Sequence, residues 1–326
     1  MDSATFSQAL HPFKSVSYSG TAPGVRLLIT GAVHGNEVCG TLAIRRIMDE
    51  IDRGELVIRR GRLTLIPVTN PLAFQKGMRS GDRNLNRALA PAPVPREFED
   101  HVANWLCPII AENQVLLDLH SFQAQGQPFV MVGPPNNPDE IEPFSHSAQE
   151  ESLARVLGVG RAVDGWLSTY VRGVARRRAE AKDRAFTLDL NPNYGVGTTE
   201  YMRSRGGWAL TLECGQHEDP SAPEVAYRAI RNTLAHLGLT REPAPAPAAS
   251  IESLSLHEVV DKQHADDAFT RAWQSFDAIK AGELIGVRAN GQEVRAPEDG
   301  IIMFPNVKSA AHQEWFYLAR RSKRFA

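Results

Sequence analysis

The stretch VRLLITGAVHGNEVCG, residues 25–40, changes character midway. Its first half is an apolar, partly β-branched run closed by Gly31, which predicts a short buried strand over 25–33. Beyond Asn36 the apolar residues Val38, Leu42, Ile47 and Ile51 recur at helical spacing until Gly54. A helix is therefore expected there, with Asn36 as its N-cap. A strand feeding a helix through a glycine-flanked turn is the repeating unit of a parallel α/β sheet. The same turn carries His34 and, three residues on, Glu37.

Further units of the same kind follow. RLTLIPVTNP (62–71) reads as a second strand ended by Pro71, VLLDLHS (115–121) as a third, and FVMVG (129–133) and WALTLECG (208–215) as two more. Residues 96–114 have the pattern of an amphipathic helix. SAPEVAYRAIRNTLAHLG (221–238) predicts another helix, opened by a capping box from Ser221 to Glu224 and stopped by Gly238. The expected fold is α/β, a mixed, mostly parallel sheet flanked by helices. In such sheets sites gather beyond the carboxyl ends of the strands. His34, Asn70, His120 and Glu213 all fall at those ends.

REPAPAPAAS (241–250) is a Pro/Ala linker. The predicted organisation is a catalytic α/β domain over 1–240, this linker, and a small C-terminal β-domain over 251–326. Two hairpin signals in the last part, Asn290-Gly291 and Asp299-Gly300, separate alternating strands. The charge run GVARRRAEAKDRAF (173–186) reads as a solvated helix or loop.

With 326 residues, 42% hydrophobic, 23% charged and a formal net charge of -2, the chain has enough apolar material for a large core and no basic field to hold a nucleic acid. Three cysteines, Cys39, Cys107 and Cys214, make no disulfide frame and point to a reducing compartment. The first residues lack a basic segment followed by an apolar core, and no apolar run reaches the ~20 residues that span a bilayer. These features predict a cytoplasmic chain with no membrane partner; a homo-oligomer is compatible with them.

His34 and Glu37 alone fit a capped turn or a surface pair. A free-standing His120 fits a core histidine satisfied by a backbone carbonyl. Taken together the three residues form a His2Glu set, a known ligand set of catalytic zinc that leaves one position for water. Asp118 is placed to orient a ligand or to pair locally. Glu213 is the expected proton acceptor, the alternative being a salt-bridged structural glutamate. MRSGDRNLNR (78–87) gathers Arg79, Arg83 and Arg87 with Asn84 and Asn86. That donor-rich loop suits a carboxylate-bearing small molecule, or else is a solvated basic loop.

His34-Gly35-Asn36-Glu37, Arg79 with Asn86-Arg87, DLHS at His120 and TLECG at Glu213 together resemble the succinylglutamate desuccinylase/aspartoacylase family, the deacylase branch of the zinc carboxypeptidase-like fold. The resemblance extends from about residue 25 to 326 and includes the C-terminal β-domain. It implies one zinc ion per chain held by His34, Glu37 and His120, with Glu213 as general base and acid. It implies that Arg79 polarises the scissile carbonyl, and that Asn86 and Arg87 hold the carboxylate of a small-molecule substrate. Arg203, ten residues before Glu213, corresponds to a further substrate arginine, with Arg205 as its competitor. Relatives of the aspartoacylase kind also bring a tyrosine from the C-terminal domain to the substrate. Tyr317, the one tyrosine after the linker, does not match that pattern from its sequence surroundings. The activity implied is hydrolysis of the amide bond of an N-acyl amino acid or similar small carboxylate. The alternatives are a zinc carboxypeptidase acting on small peptides and an inactive zinc-binding relative.

Overall fold

The computed structural model describes residues 12–139, 141–180 and 187–326. In chain order the elements are β1 (Val16–Ser19), β2 (Ala22–Gly31), α1 (Cys39–Asp52), β3 (Arg60–Ile66), α2 (Pro71–Lys76), α3 (Phe98–Glu112), β4 (Val115–Phe122) and β5 (Phe129–Met131). They continue as α4 (Ser147–Ala154), β6 (Arg161–Asp164), α5 (Trp166–Glu180), α6 (Thr198–Ser204), β7 (Trp208–Gln216) and α7 (Ala222–His236). The last part is all strand: β8 (Glu252–Asp261), β9 (Ala268–Phe269), β10 (Ala278–Ile279), β11 (Leu284–Val287), β12 (Glu293–Arg295), β13 (Gly300–Met303) and β14 (Glu314–Arg321).

One 11-stranded sheet, ordered β1-β3-β2-β4-β7-β5-β6-β8-β14-β13-β10, forms the spine. The neighbours β3, β2, β4 and β7 run parallel, which is the expected α/β centre. β5 is antiparallel to β7, and the strands after β8 are antiparallel to one another, so the sheet is mixed. Strand alternation sorts the core into two layers. Leu27 and Ile29, Leu117 and Leu119, and Leu210 and Leu212 pack with α1 and α7. Leu28, Leu116 and Ala209 point the other way and pack under α3 and α6.

Several local expectations shift. β3 ends at Ile66, and Asn70-Pro71 opens α2 instead of closing the strand: Asn70 Oδ1 accepts from Ala73 N at 3.1 Å and Pro71 sits in the first turn. α1 begins only at Cys39, so Asn36 does not cap it; Glu37 N closes a turn onto His34 O first. Ser221 makes no side-chain cap on α7, because its hydroxyl donates to Asp219 and Glu224 pairs with Arg46. Asn290-Gly291 does turn a hairpin between β11 and β12. Asp299-Gly300 does not: β12 lies in a separate three-stranded sheet, β12-β11-β9, while β13 joins the main one. Asp299 instead accepts from Ala281 N and Lys280 Nζ, both at 2.9 Å. The charge run from 173 is helical through Glu180, the end of α5; residues 181–186 and the first 11 residues, on which the leader reading rests in part, lie outside the described residues.

The strands after the Pro/Ala stretch extend the same sheet. β8 pairs in parallel with β6 from Arg161↔Glu252 to Asp164↔Ser255, covering an edge that would otherwise present unpaired amides. A second cluster of aromatic and aliphatic residues, including Trp273, Trp315 and Phe316, fills the far end. Among the described residues no helix is long and apolar enough to cross a membrane.

Candidate metal centre and substrate cavity

The centre of the sheet sets the geometry. β4 and β7 pair in parallel with His120 opposite Glu213, so both side chains leave the same face at the carboxyl ends of adjacent strands. The turn after β2 brings His34 and Glu37 to that face. Gly35 lets it happen, because a Cβ there would lie 1.9 Å from the carbonyl carbon of Ala73 in α2. The ligand atoms of His34, Glu37 and His120 all lie within 4.8 Å of one another, and all three residues are buried.

Both imidazoles present Nδ1 to the carboxylate of Glu37: His34 Nδ1 is 2.8 Å from Oε1, and His120 Nδ1 is 2.8 Å from Oε2. Their Nε2 atoms are held from behind, His120 by Asp118 Oδ2 at 2.8 Å and His34 by Asn84 Oδ1 at 3.1 Å. Acceptors at Nε2 fix the protons there and leave Nδ1 free to ligate. Asp118 is itself held by the hydroxyls of Thr30 and Thr198. Such carboxylate–histidine support is usual behind metal-ligating histidines. Burial and the charge of Arg79 push the His34 imidazole down to about 4, against the pull of Glu37, so it is neutral at pH 7. His120 also suffers burial, but Asp118 and Glu37 outweigh it and raise the imidazole well above its ordinary value.

Arg79 reaches the same point. Its Nη1 lies 3.0 Å from Glu37 Oε1 and 3.2 Å from His34 Nδ1, while the side chain is about half exposed. Glu213 is the opposite case: buried, with Oε2 lacking any hydrogen-bond partner. Burial, reinforced by Glu37 and Asp118 against His120 and Arg79, pushes its carboxyl up to about 8. Two supported imidazoles, a carboxylate between them and an unpaired carboxyl beside them fit a divalent cation with His2Glu ligation. The group could hold a metal ion.

A cavity of about 250 Å³ opens from this centre. Arg79, Asn86 and Arg87 line it, so the donor-rich loop divides as its residues turn. Arg83 leaves for Glu97 and Asp100, and Asn84 supports His34 and the amide of Asn86. Arg87 is buried against Trp166, Tyr170 and Tyr194, donates to Tyr170 Oη at 2.6 Å, and has Glu314 3.7 Å from its Nε. Its Nε makes no hydrogen bond, and Asn86 Oδ1 accepts from Thr198 N at 2.9 Å. Of the two rival arginines, Arg205 is exposed, whereas Arg203 reaches the cavity wall. Arg203 arrives already engaged with Glu142, Glu150, Glu200 and the carbonyl of Ala209. Asn70, at a strand end in sequence, is absorbed into α2 and its contact with Glu99.

Other residues also line the cavity, Tyr317 among them although its sequence surroundings do not match the pattern of the relatives' tyrosine. Tyr317 lines the cavity from β14, its hydroxyl bonded to that of Tyr170, with Phe304 and Glu314 from the same C-terminal part. Trp166 enters from α5. His217 stands four residues beyond Glu213 on the strand-to-loop exit, with Nδ1 2.9 Å from Ser121 Oγ. Of these His217 had a local signal, its nearness to Glu213 in the chain; Phe304, Glu314 and Tyr317 are brought in by pairings between distant strands, and Trp166 by helix α5.

Residues 23–141 match the family model described as the succinylglutamate desuccinylase/aspartoacylase catalytic domain. Among solved structures the chain is similar to the succinylglutamate desuccinylase/aspartoacylase from Rhodobacter sphaeroides, at 18% identity over 95% of this chain and 90% of that one, with a TM-score of 0.69. The product-bound ectoine utilization protein EutE (DoeB) from Ruegeria pomeroyi gives 18% identity, 94% and 88% coverage and a TM-score of 0.69. The succinylglutamate desuccinylase from Vibrio cholerae gives 18%, 94% and 85%, and 0.67. No curated protein sequence matches the chain. The whole chain thus shares its fold with these proteins, and its residues 23–141 carry the match to the succinylglutamate desuccinylase/aspartoacylase catalytic domain.

Proposed function

We propose that the protein is a zinc-dependent hydrolase that cleaves the amide bond of an N-acyl amino acid. The observation that carries this reading is the meeting of His34, Glu37 and His120 beside the unpaired carboxyl of Glu213, at the head of a cavity lined by Arg79, Asn86 and Arg87. His34, Glu37 and His120 would hold the zinc, which would supply Lewis acidity and make water a stronger acid at neutral pH. Glu213 accepts a proton from the attacking water and returns it to the leaving nitrogen. A carboxyl whose ordinary range is lifted by burial is suited to hold a proton between those two transfers. Arg79, half exposed and free to turn from Glu37, donates to the carbonyl oxygen as negative charge develops on it. The free N–H groups of Arg87 and the side-chain amide of Asn86 hold the substrate carboxylate.

Hydrolysis of N-acyl amino acids is also what the names of the family and of the desuccinylase relatives suggest. The test is turnover by the zinc-loaded protein on N-acetyl and N-succinyl amino acids beside blocked dipeptides, with release of the free amine as the readout. Preference for the acyl amino acids is expected. Release of a C-terminal amino acid from the dipeptides alone would make the protein a carboxypeptidase. Hydrolysis of neither class, with one zinc bound per chain, would leave an inactive relative.

A further inference from the structure

We infer that the substrate carries a single carboxylate, and that both its acyl group and its side chain are uncharged and largely apolar. This deepens the deacylase reading and rests on it.

The cations that line the cavity decide the matter. Among the described residues they are Arg79, Arg87, Arg203 and Lys308, histidines apart. Arg79 belongs to the reacting carbonyl. Arg87 keeps an unpaired Nε–H and further N–H groups, so it can grip one carboxylate. Arg203 has none to give. Its Nε donates to Glu150 Oε1 at 2.8 Å, Nη1 to Glu142 at 3.0 Å and Glu200 at 3.3 Å, and Nη2 to Ala209 O at 2.9 Å and Glu150 Oε2 at 3.5 Å. Five donors meet five acceptors, and a guanidinium has only five N–H groups. Three carboxylates around one arginine also leave that wall without positive charge. Lys308 is exposed at the mouth, where an ion pair in water contributes little.

A second carboxylate on the substrate would enter this chamber with no free cation to pair with and beside Glu200 and Glu314, at the cost of a buried charge without a counter-ion. The apolar part of the wall, Phe122, Met131, Val132, Trp166, Phe304 and Tyr317, favours apolar groups, and the polar residues beside it, such as Thr199 and Gln313, are neutral.

The experiment compares kcat/KM of the zinc-loaded protein on N-acetylleucine and N-acetylphenylalanine with that on N-acetylaspartate and N-succinylglutamate. The expected result is a preference of ~10-fold or more for the two monocarboxylates, the scale on which an unpaired buried polar group discriminates. Equal or better turnover of the dicarboxylates overturns the inference and leaves the deacylase reading standing. Failure to hydrolyse any of the four, while blocked dipeptides are cleaved or nothing is, overturns both. A second variant tests the cause. Glu142→Ala removes the most exposed of the three partners of Arg203 and frees one Nη1–H, leaving Glu150 and Glu200 to hold the side chain. The monocarboxylate preference should fall several-fold in this variant; an unchanged ratio overturns the assignment of that preference to Arg203.

Discussion

At the scale of single residues, two substitutions would separate the proposed metal binding from the proposed proton transfer. Glu213 touches none of the three ligand residues by hydrogen bond, and its Oε2 is unpaired. Glu213→Ala should therefore keep metal content and fold while lowering kcat by about 10²–10⁴-fold, the usual contribution of a general base. His120→Ala should lose both the metal and turnover, because it removes a ligand and leaves Asp118 and Glu37 without their shared partner. Metal analysis beside steady-state kinetics distinguishes the two, and full activity in Glu213→Ala would remove Glu213 from the mechanism. Histidine 120 also makes metal uptake depend on pH. Asp118 and Glu37 outweigh burial and raise its imidazole well above the ordinary value, which favours a ring proton that must leave Nδ1 before a metal can bind. The metal competes with that proton, so apparent affinity should weaken by up to about tenfold for each unit that pH falls below 7. Zinc titrations at pH 6, 7 and 8 check this; a pH-independent affinity would mean that His120 is already neutral.

At the scale of elements, the site depends on how closely the turn after β2 approaches α2. Gly35→Ala would place a Cβ 1.9 Å from Ala73, and the obstacle is backbone that a helix cannot yield. The variant should lose about 1–3 kcal/mol of stability, seen as an earlier urea midpoint. It should also lose metal affinity, since His34 and Glu37 ride on the displaced turn. A variant with unchanged midpoint and metal content would show that α2 yields freely. The same turn explains why α1 starts later than its sequence pattern predicts. Asn36 has the chemistry of an N-cap, but the chain must first present Glu37 beside His34, so the helix starts after both. Ser221 and Asp299 likewise look like local signals and are instead captured by nearby partners, Asp219 and the Lys280–Ala281 corner.

At the scale of the whole molecule, the C-terminal strands complete both the sheet and the cavity. β8 covers β6, and β13, β14 and the loop between them bring Phe304, Glu314 and Tyr317 to the cavity. A chain ending at residue 250 would expose the edge of β6 and strip the buried Arg87 of Glu314 and of the Tyr170–Tyr317 pair behind it. It should be poorly soluble, and whatever folds should turn substrate over far more slowly. Soluble yield and kcat/KM of the truncated protein are the measurements; a soluble chain with unchanged kcat/KM would show that the cavity is complete without these strands.

The parallel α/β centre and the residues at its strand ends were legible in the linear chain. Alternation of apolar residues has only one way to bury itself, and His34, Glu37, His120 and Glu213 stand at the points where the apolar runs stop. Which side chains lie behind those residues was decided only in three dimensions. Asn84 behind His34, Glu150 and Glu142 around Arg203, and Tyr317 beside Tyr170 are contacts across 50, 53, 61 and 147 positions of chain. Hydrogen bonds and ion pairs of that kind depend on sheet order and register, which no local periodicity encodes. Arg203 makes the difference plain: as a letter it is a free cation, and in the folded protein its neighbours have taken every proton it could offer.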